Sequence, residues 1–156
     1  MSFTNKKDAI PLYPVSSNNY EQWLAGQSEV RQKWLKTAGF RAKAGEICSL
    51  PGSSGELHGY VFGMADKGWL YQLAALPAKL AAGQYRLVSD WSPRQRQQAS
   101  LGWGLACYQF KMYLKSPSEM PSLALDEDIA ANVEQLLSAQ SLVRDLINTP
   151  TEDMGP

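Results

Sequence analysis

Few side chains in this sequence could do acid–base, nucleophilic or metal chemistry, and each is weighed against its neighbours. The single histidine, His58, lies inside the apolar run L-H-G-Y-V-F. A catalytic histidine needs a nucleophile or carboxylate beside it in space, and no motif here supplies one. The expected place for His58 is therefore a strand surface, and one histidine cannot build a zinc site on paired histidines. Cys48 and Cys107 are far apart and form no C-x-x-C, which favours two reduced thiols over a disulfide framework or a thiolate metal site. Asp126, Glu127 and Asp128 open a predicted helix. Consecutive residues there point in different directions, whereas a hard cation needs converging oxygens. Favourable placement at the positive end of the helix dipole explains them.

The glycine pairs Gly52/Gly55 and Gly102/Gly104 fit neither the dinucleotide fingerprint nor the phosphate loop. The first reads as a hairpin turn and the second as close packing of a helix against a sheet. Arg94 and Arg96, with Lys111 and Lys115 on the same predicted helix, have no RNP-like motif around them and read as a solvated face. The five tryptophans, Trp23, Trp34, Trp69, Trp91 and Trp103, fall in separate elements and are expected as core anchors, with room for one exposed ring at an interface.

The elements that must position these groups alternate between strand and helix. I-P-L-Y-P-V at 10–15 carries two prolines, which predicts an edge strand or an extended lead-in. Ser17, Asn18 and Asn19 offer caps for a short helix bearing Trp23 and Leu24, and Ser28 caps a second helix ending at Gly39. Val30, Trp34 and Leu35 are spaced to share its inner face. E-I-C-S-L-P and L-H-G-Y-V-F-G-M flank G-S-S-G-E as a hairpin. Residues 68–80 read as a short helix with Trp69, Leu70, Leu73 and Leu76 along one side, weakened at Pro77, and 84–88 as a strand. Ser92-Pro93 starts a helix expected to reach about residue 114. Its stripe is Leu101, Leu105, Tyr108 and Met112, with Ala106, Phe110 and Tyr113 beside it. A last short strand follows at P-S-L-A-L-D. The final helix puts Ile129, Val133, Leu136, Val143 and Ile147 on its buried side and ends at Asn148-Thr149-Pro150. Together these give an α/β class with a mixed β-sheet flanked by helices.

The 156 residues suit one domain core. With 15 basic and 15 acidic residues, bulk charge attracts neither nucleic acid nor an anionic membrane. The N-terminus lacks a secretory h-region and no stretch has a membrane span's length. The reading is a soluble cytoplasmic protein.

S-L-V-R-D-L-I-N-T-P-T-E-D-M-G-P at 141–156 resembles the passage R-D-L-[IV]-N-T-P-x-x-D-M-x-P. By that passage the leucine aminopeptidases (cytosol aminopeptidases) leave a small N-terminal domain and enter the catalytic one. L-G-W-G-L-A-C-Y-Q-F-K-M-Y at 101–113, the Pro51-Gly52 turn and L-P-A-K-L at 76–80 are weaker echoes. The resemblance implies a macrodomain-like N-terminal α/β domain at 1–126. It also implies a linker helix with the start of a catalytic domain at 127–156, the chemistry lying beyond Pro156. The residues of the domain-junction motif are Arg144, Asp145, Asn148, Thr149, Pro150, Asp153 and Pro156.

Family members remove N-terminal residues from peptides with two divalent metals, zinc or manganese, and assemble as hexamers. Their metal ligands are a lysine and several carboxylates, and their N-T-D-A-E-G-R-L signature does not occur here. No catalytic, cofactor-binding or metal residue is carried over. The expectation is a non-catalytic N-terminal domain of a leucyl aminopeptidase whose partner is its own catalytic domain. The alternative is a stand-alone nucleotide or ADP-ribose-binding or protein-interaction module.

Overall fold

A computed structural model describes residues 8–66, 68–109 and 119–150. The strands are β1 (Ile10–Val15), β2 (Ile47–Pro51), β3 (Leu57–Gly63), β4 (Gln84–Leu87) and β5 (Ser122–Ala124). The helices are α1 (Tyr20–Ala25), α2 (Glu29–Thr37), α3 (Pro93–Ala106) and α4 (Glu127–Asn148). The sheet runs β2-β3-β1-β4-β5. Only the β2–β3 hairpin is antiparallel; the other neighbours are parallel, as crossover helices require. One sheet face packs Val15, Leu50 and Val61 against Tyr20, Leu24 and Leu35 of α1 and α2. The other packs Leu12, Phe62, Tyr85 and Leu123 against Trp103, Ile129 and Val133 of α3 and α4. The mixed sheet between helical layers is the architecture expected.

β1 is the central strand, contrary to the edge position its prolines suggest. The carbonyl of Leu12 accepts from Val88 on the β4 side, and that of Val15 accepts from Met64 on the β3 side. Alternation then turns Pro11 toward β3 and Pro14 toward β4. The β3 ladder begins at Leu12↔Tyr60 and the β4 ladder ends at Leu12↔Leu87. Each missing N–H thus falls just outside the ladder it would have fed, so two offset neighbours admit prolines that one flush neighbour would reject.

Several helical expectations are revised. Ser28 caps α2, accepting from the Arg31 amide at 3.4 Å, but only Leu35 is buried. Val30 and Trp34 lie on the exposed side. There Trp34 Nε1 donates to Ser49 O at 2.9 Å and Arg31 Nε donates to Pro51 O at 3.2 Å. These carbonyls belong to the edge strand β2, so α2 blunts an edge that would otherwise template strand addition. Asn19 and Ser16 give α1 and the 3-10 turn before it no side-chain cap.

Residues 68–80 form a 3-10 turn at Trp69–Tyr71 followed by turns, not an α-helix. Leu73 and Leu76 are buried, while Leu70 is exposed. The buried Gln72 side chain turns back to the preceding loop. Its amide holds both the N–H and the C=O of Ala65, at 2.9 and 3.0 Å.

α3 stops at Ala106, short of the expected end. Phe110, Lys111, Met112, Tyr113 and Lys115 lie outside the described residues. Its buried residues are Ala99, Ser100, Gly102 and Trp103, not the stripe through Leu101 and Leu105. Trp103 sets that rotation: it is fully buried, and its Nε1 donates to Pro121 O at 3.2 Å. Gly102 and Gly104 serve close packing, though not on the sheet. A Cβ at Gly102 would strike the Leu70 backbone, and one at Gly104 would strike the Leu137 side chain on α4.

Candidate site at the domain junction

α4 begins as a domain helix. Ile129, Ala130 and Val133 are buried, while Asp126 at its N-cap makes no capping hydrogen bond from its side chain. Instead Arg96 Nη1 pairs with Asp126 and Nη2 with Asp128 at 2.9 Å. The acidic run does converge, therefore, but on a cation. Arg96 is not part of a free solvated face, because its guanidinium ties the first turns of α3 and α4 together, a geometry a planar fork suits.

The other end of α4 carries the residues expected to form a junction motif, and three of their side chains meet at Tyr108. The Tyr108 hydroxyl donates to Asp145 Oδ1 at 2.7 Å and accepts from Asn148 Nδ2 at 3.4 Å. The Arg144 guanidinium lies 5.0 Å from the centre of the Tyr108 ring, within cation–π range. Arg144 Nη1 also donates to Leu105 O at 3.2 Å, satisfying a carbonyl in the last turn of α3. Desolvation first, and the hydrogen bond to Asp145 second, raise the Tyr108 pKa above its ordinary value, so the ring stays neutral and keeps its donor.

Thr149 closes the helix. Its N–H and Oγ1 both donate to Asp145 O, at 2.9 and 2.6 Å. Its φ of −75° and ψ of 122° are the extended backbone that Pro150 imposes on the residue before it. Asp153 and Pro156 lie outside the described residues. Tyr108, expected on the apolar stripe of α3, lies instead just past the helix end at Ala106 and serves this cluster. The signal available was its place in the L-G-W-G-L-A-C-Y echo, but a separation of 37 positions from Asp145 hid the pairing.

The other candidates are not brought together. His58 is exposed on β3, where its Nε2 lies 3.1 Å from the Tyr13 hydroxyl. Desolvation, with Arg31 and Arg86 nearby, lowers its pKa. Both cysteines are free thiols; burial raises the pKa of Cys48 and pushes that of Cys107 up to about 11. A cavity of about 420 Å³ opens at the carboxyl ends of β4 and β5, lined by Arg86, Leu87, Arg96, Leu123, Leu125 and Asp126. Asp126 and Asp128 occupy the Arg96 head group there, which opposes a polyphosphate. No group of three or more His, Cys, Asp or Glu side chains among the described residues could hold a metal ion. No described helix is long and apolar enough to cross a membrane. Trp103 and Trp91 are buried, Trp23 and Trp69 pack partly buried on the two cores, and Trp34 is the exposed ring.

Residues 10–126 match the family described as M17 aminopeptidase, N-terminal domain. The chain belongs to this family. A cytosol aminopeptidase from Coxiella burnetii, known from a 1.8 Å crystal structure, is 35% identical with a TM-score of 0.89, over 98% of this chain and 34% of that one. The bottromycin maturation enzyme BotP, in complex with Mn, is 20% identical with a TM-score of 0.67, over 94% of this chain and 33% of that one. BotP thus shares the fold. No curated protein matches the chain. The chain spans about a third of the length of the solved structures it matches, and the match to the cytosol aminopeptidase extends past the family's matched segment into α4.

Proposed function

We infer that this M17 N-terminal domain is the non-catalytic front of a metal-dependent leucyl aminopeptidase. Residues 1–126 form the domain. Residues 127–156 form the linker helix and the entry to a catalytic domain that removes N-terminal residues from peptides. The carrying observation is the asymmetry of the match to the cytosol aminopeptidase: 98% of this chain against 34% of that one. A dinuclear zinc or manganese centre fits the catalytic domain rather than this one. The two carboxylates that converge here, Asp126 and Asp128, are both paired with Arg96, and a hard cation needs more oxygens than they leave. The same reading makes the longer protein a cytoplasmic hexamer with peptides as substrates.

The test is turnover of a leucyl chromogenic substrate with added manganese or zinc. The purified 156-residue chain is expected to be inert and the full-length gene product active. Metal-dependent turnover by the short chain overturns the assignment.

A further inference from the structure

The second half of α4 wears its polarity inside out. Arg144, Asp145 and Asn148 face the domain through Tyr108 and Leu105. Leu142, Val143, Leu146 and Ile147 face away, with Leu142 61% and Ile147 76% exposed. At 3.6 residues per turn the two sets fall on opposite sides of the helix. With Leu136, these residues make up five of the ten large exposed hydrophobic side chains among the described residues, so this face is the main apolar surface left open. An amphipathic helix ordinarily turns its apolar side to its own core. Here charges and an amide hold the core side, and the apolar side is presented outward. A contiguous patch of this kind marks an interaction surface.

We propose that this face is the docking surface for the catalytic domain that follows the junction in the longer protein, an inference that rests on the domain assignment above. Two observations favour that occupant over a second copy of the chain. The patch adjoins Thr149 and Pro150, so a domain tethered there meets it at high effective concentration. Four side chains over two turns also offer only a few hundred Å², well below the roughly 800 Å² per partner of a stable free complex. Tethered docking tolerates so small an area and free dimerisation does not. The Tyr108 clamp fixes which side of α4 is presented before the partner arrives, which removes part of the ordering cost of docking.

Val143→Glu with Ile147→Glu, placed in both the short chain and the full-length gene product, tests this. In the short chain the pair is expected to leave Tm within about 1 °C and the sedimentation that of a monomer. In the full-length protein it is expected to lower Tm by about 3 °C or more and to speed proteolysis at the junction. Val143→Ile with Ile147→Val should leave both proteins unchanged. Equal small effects in the two contexts overturn the proposal. A short chain that dimerises, and that the glutamates dissociate, overturns it in favour of a second copy. These readouts do not depend on activity. Turnover of the wild-type full-length protein judges the functional assignment separately.

Discussion

The two halves of α4 share one helix and one apolar stripe, yet they meet opposite surroundings. In the first half Ile129 and Val133 are buried against α3 and the sheet. In the second, Val143 and Ile147 continue the same stripe into solvent while charged neighbours hold the domain. Helical periodicity reports which residues want burial, but it does not report what buries them. The first half is covered by its own domain, and among the described residues the second is held to that domain through the polar side chains of Arg144, Asp145 and Asn148.

Placing one change in both halves gives the sharpest test of this contrast. Val133→Asp puts an unpaired carboxylate in a fully buried position and should cost about 3 kcal/mol or more. Val143→Asp in the same 156-residue chain should stay within about 0.5 kcal/mol, as surface changes do. Urea unfolding of the two variants reads the difference directly. Equal losses would mean that the second half is packed as tightly as the first.

Tyr108 carries the next largest effect. Tyr108→Phe keeps the ring under Arg144 but removes the hydroxyl that donates to Asp145, a bond strengthened by the carboxylate charge. Amide exchange should quicken over residues 142–149 and stay unchanged over 127–137. Uniform quickening would show that the clamp supports the whole helix rather than its far end. At the other end, Arg96→Gln should cost less, about 1 kcal/mol at most. Its carboxylate partners are 39% and 47% exposed and water screens the pair. The loss should shrink further in salt, which a denaturation series at two ionic strengths would show.

The parts of the fold legible in the sequence were those set by local chemistry. Ser28 and Ser92 cap helices as their types predict, and G-S-S-G-E makes the hairpin turn. The misread parts turned on non-local facts. Pro11 and Pro14 forbid a central strand only if both neighbours run flush, and the offset of β3 and β4 is not written in residues 10–15. The rotation of α3 follows from Trp103 reaching Pro121 O across 18 residues, which the nearby leucine stripe outvoted. At the site, Arg144, Asp145 and Asn148 of the motif all contact Tyr108. Their common target, Tyr108, lies just past the end of α3, beyond the reach of any spacing rule.

Cys107, next to Tyr108, offers the gentlest probe of the clamp. Its thiol packs partly buried against the core beside Pro121 O, and burial pushes its pKa up to about 11, above the roughly 8.5 of a free cysteine. The folded state therefore holds the proton where the unfolded state has released it. That stability is fully present below the unfolded value and is lost as pH rises from about 8.5 toward about 11. Cys107→Ser should flatten this alkaline decline. At pH 8 the protonated, sheltered thiol should alkylate more slowly than a cysteine in a peptide, because the thiolate is the nucleophile. Tyr108→Ala, by loosening the end of α3, should quicken that alkylation while leaving the first half of α4 protected from exchange. An unchanged labelling rate would mean that α3 holds its own last turn without the junction residues.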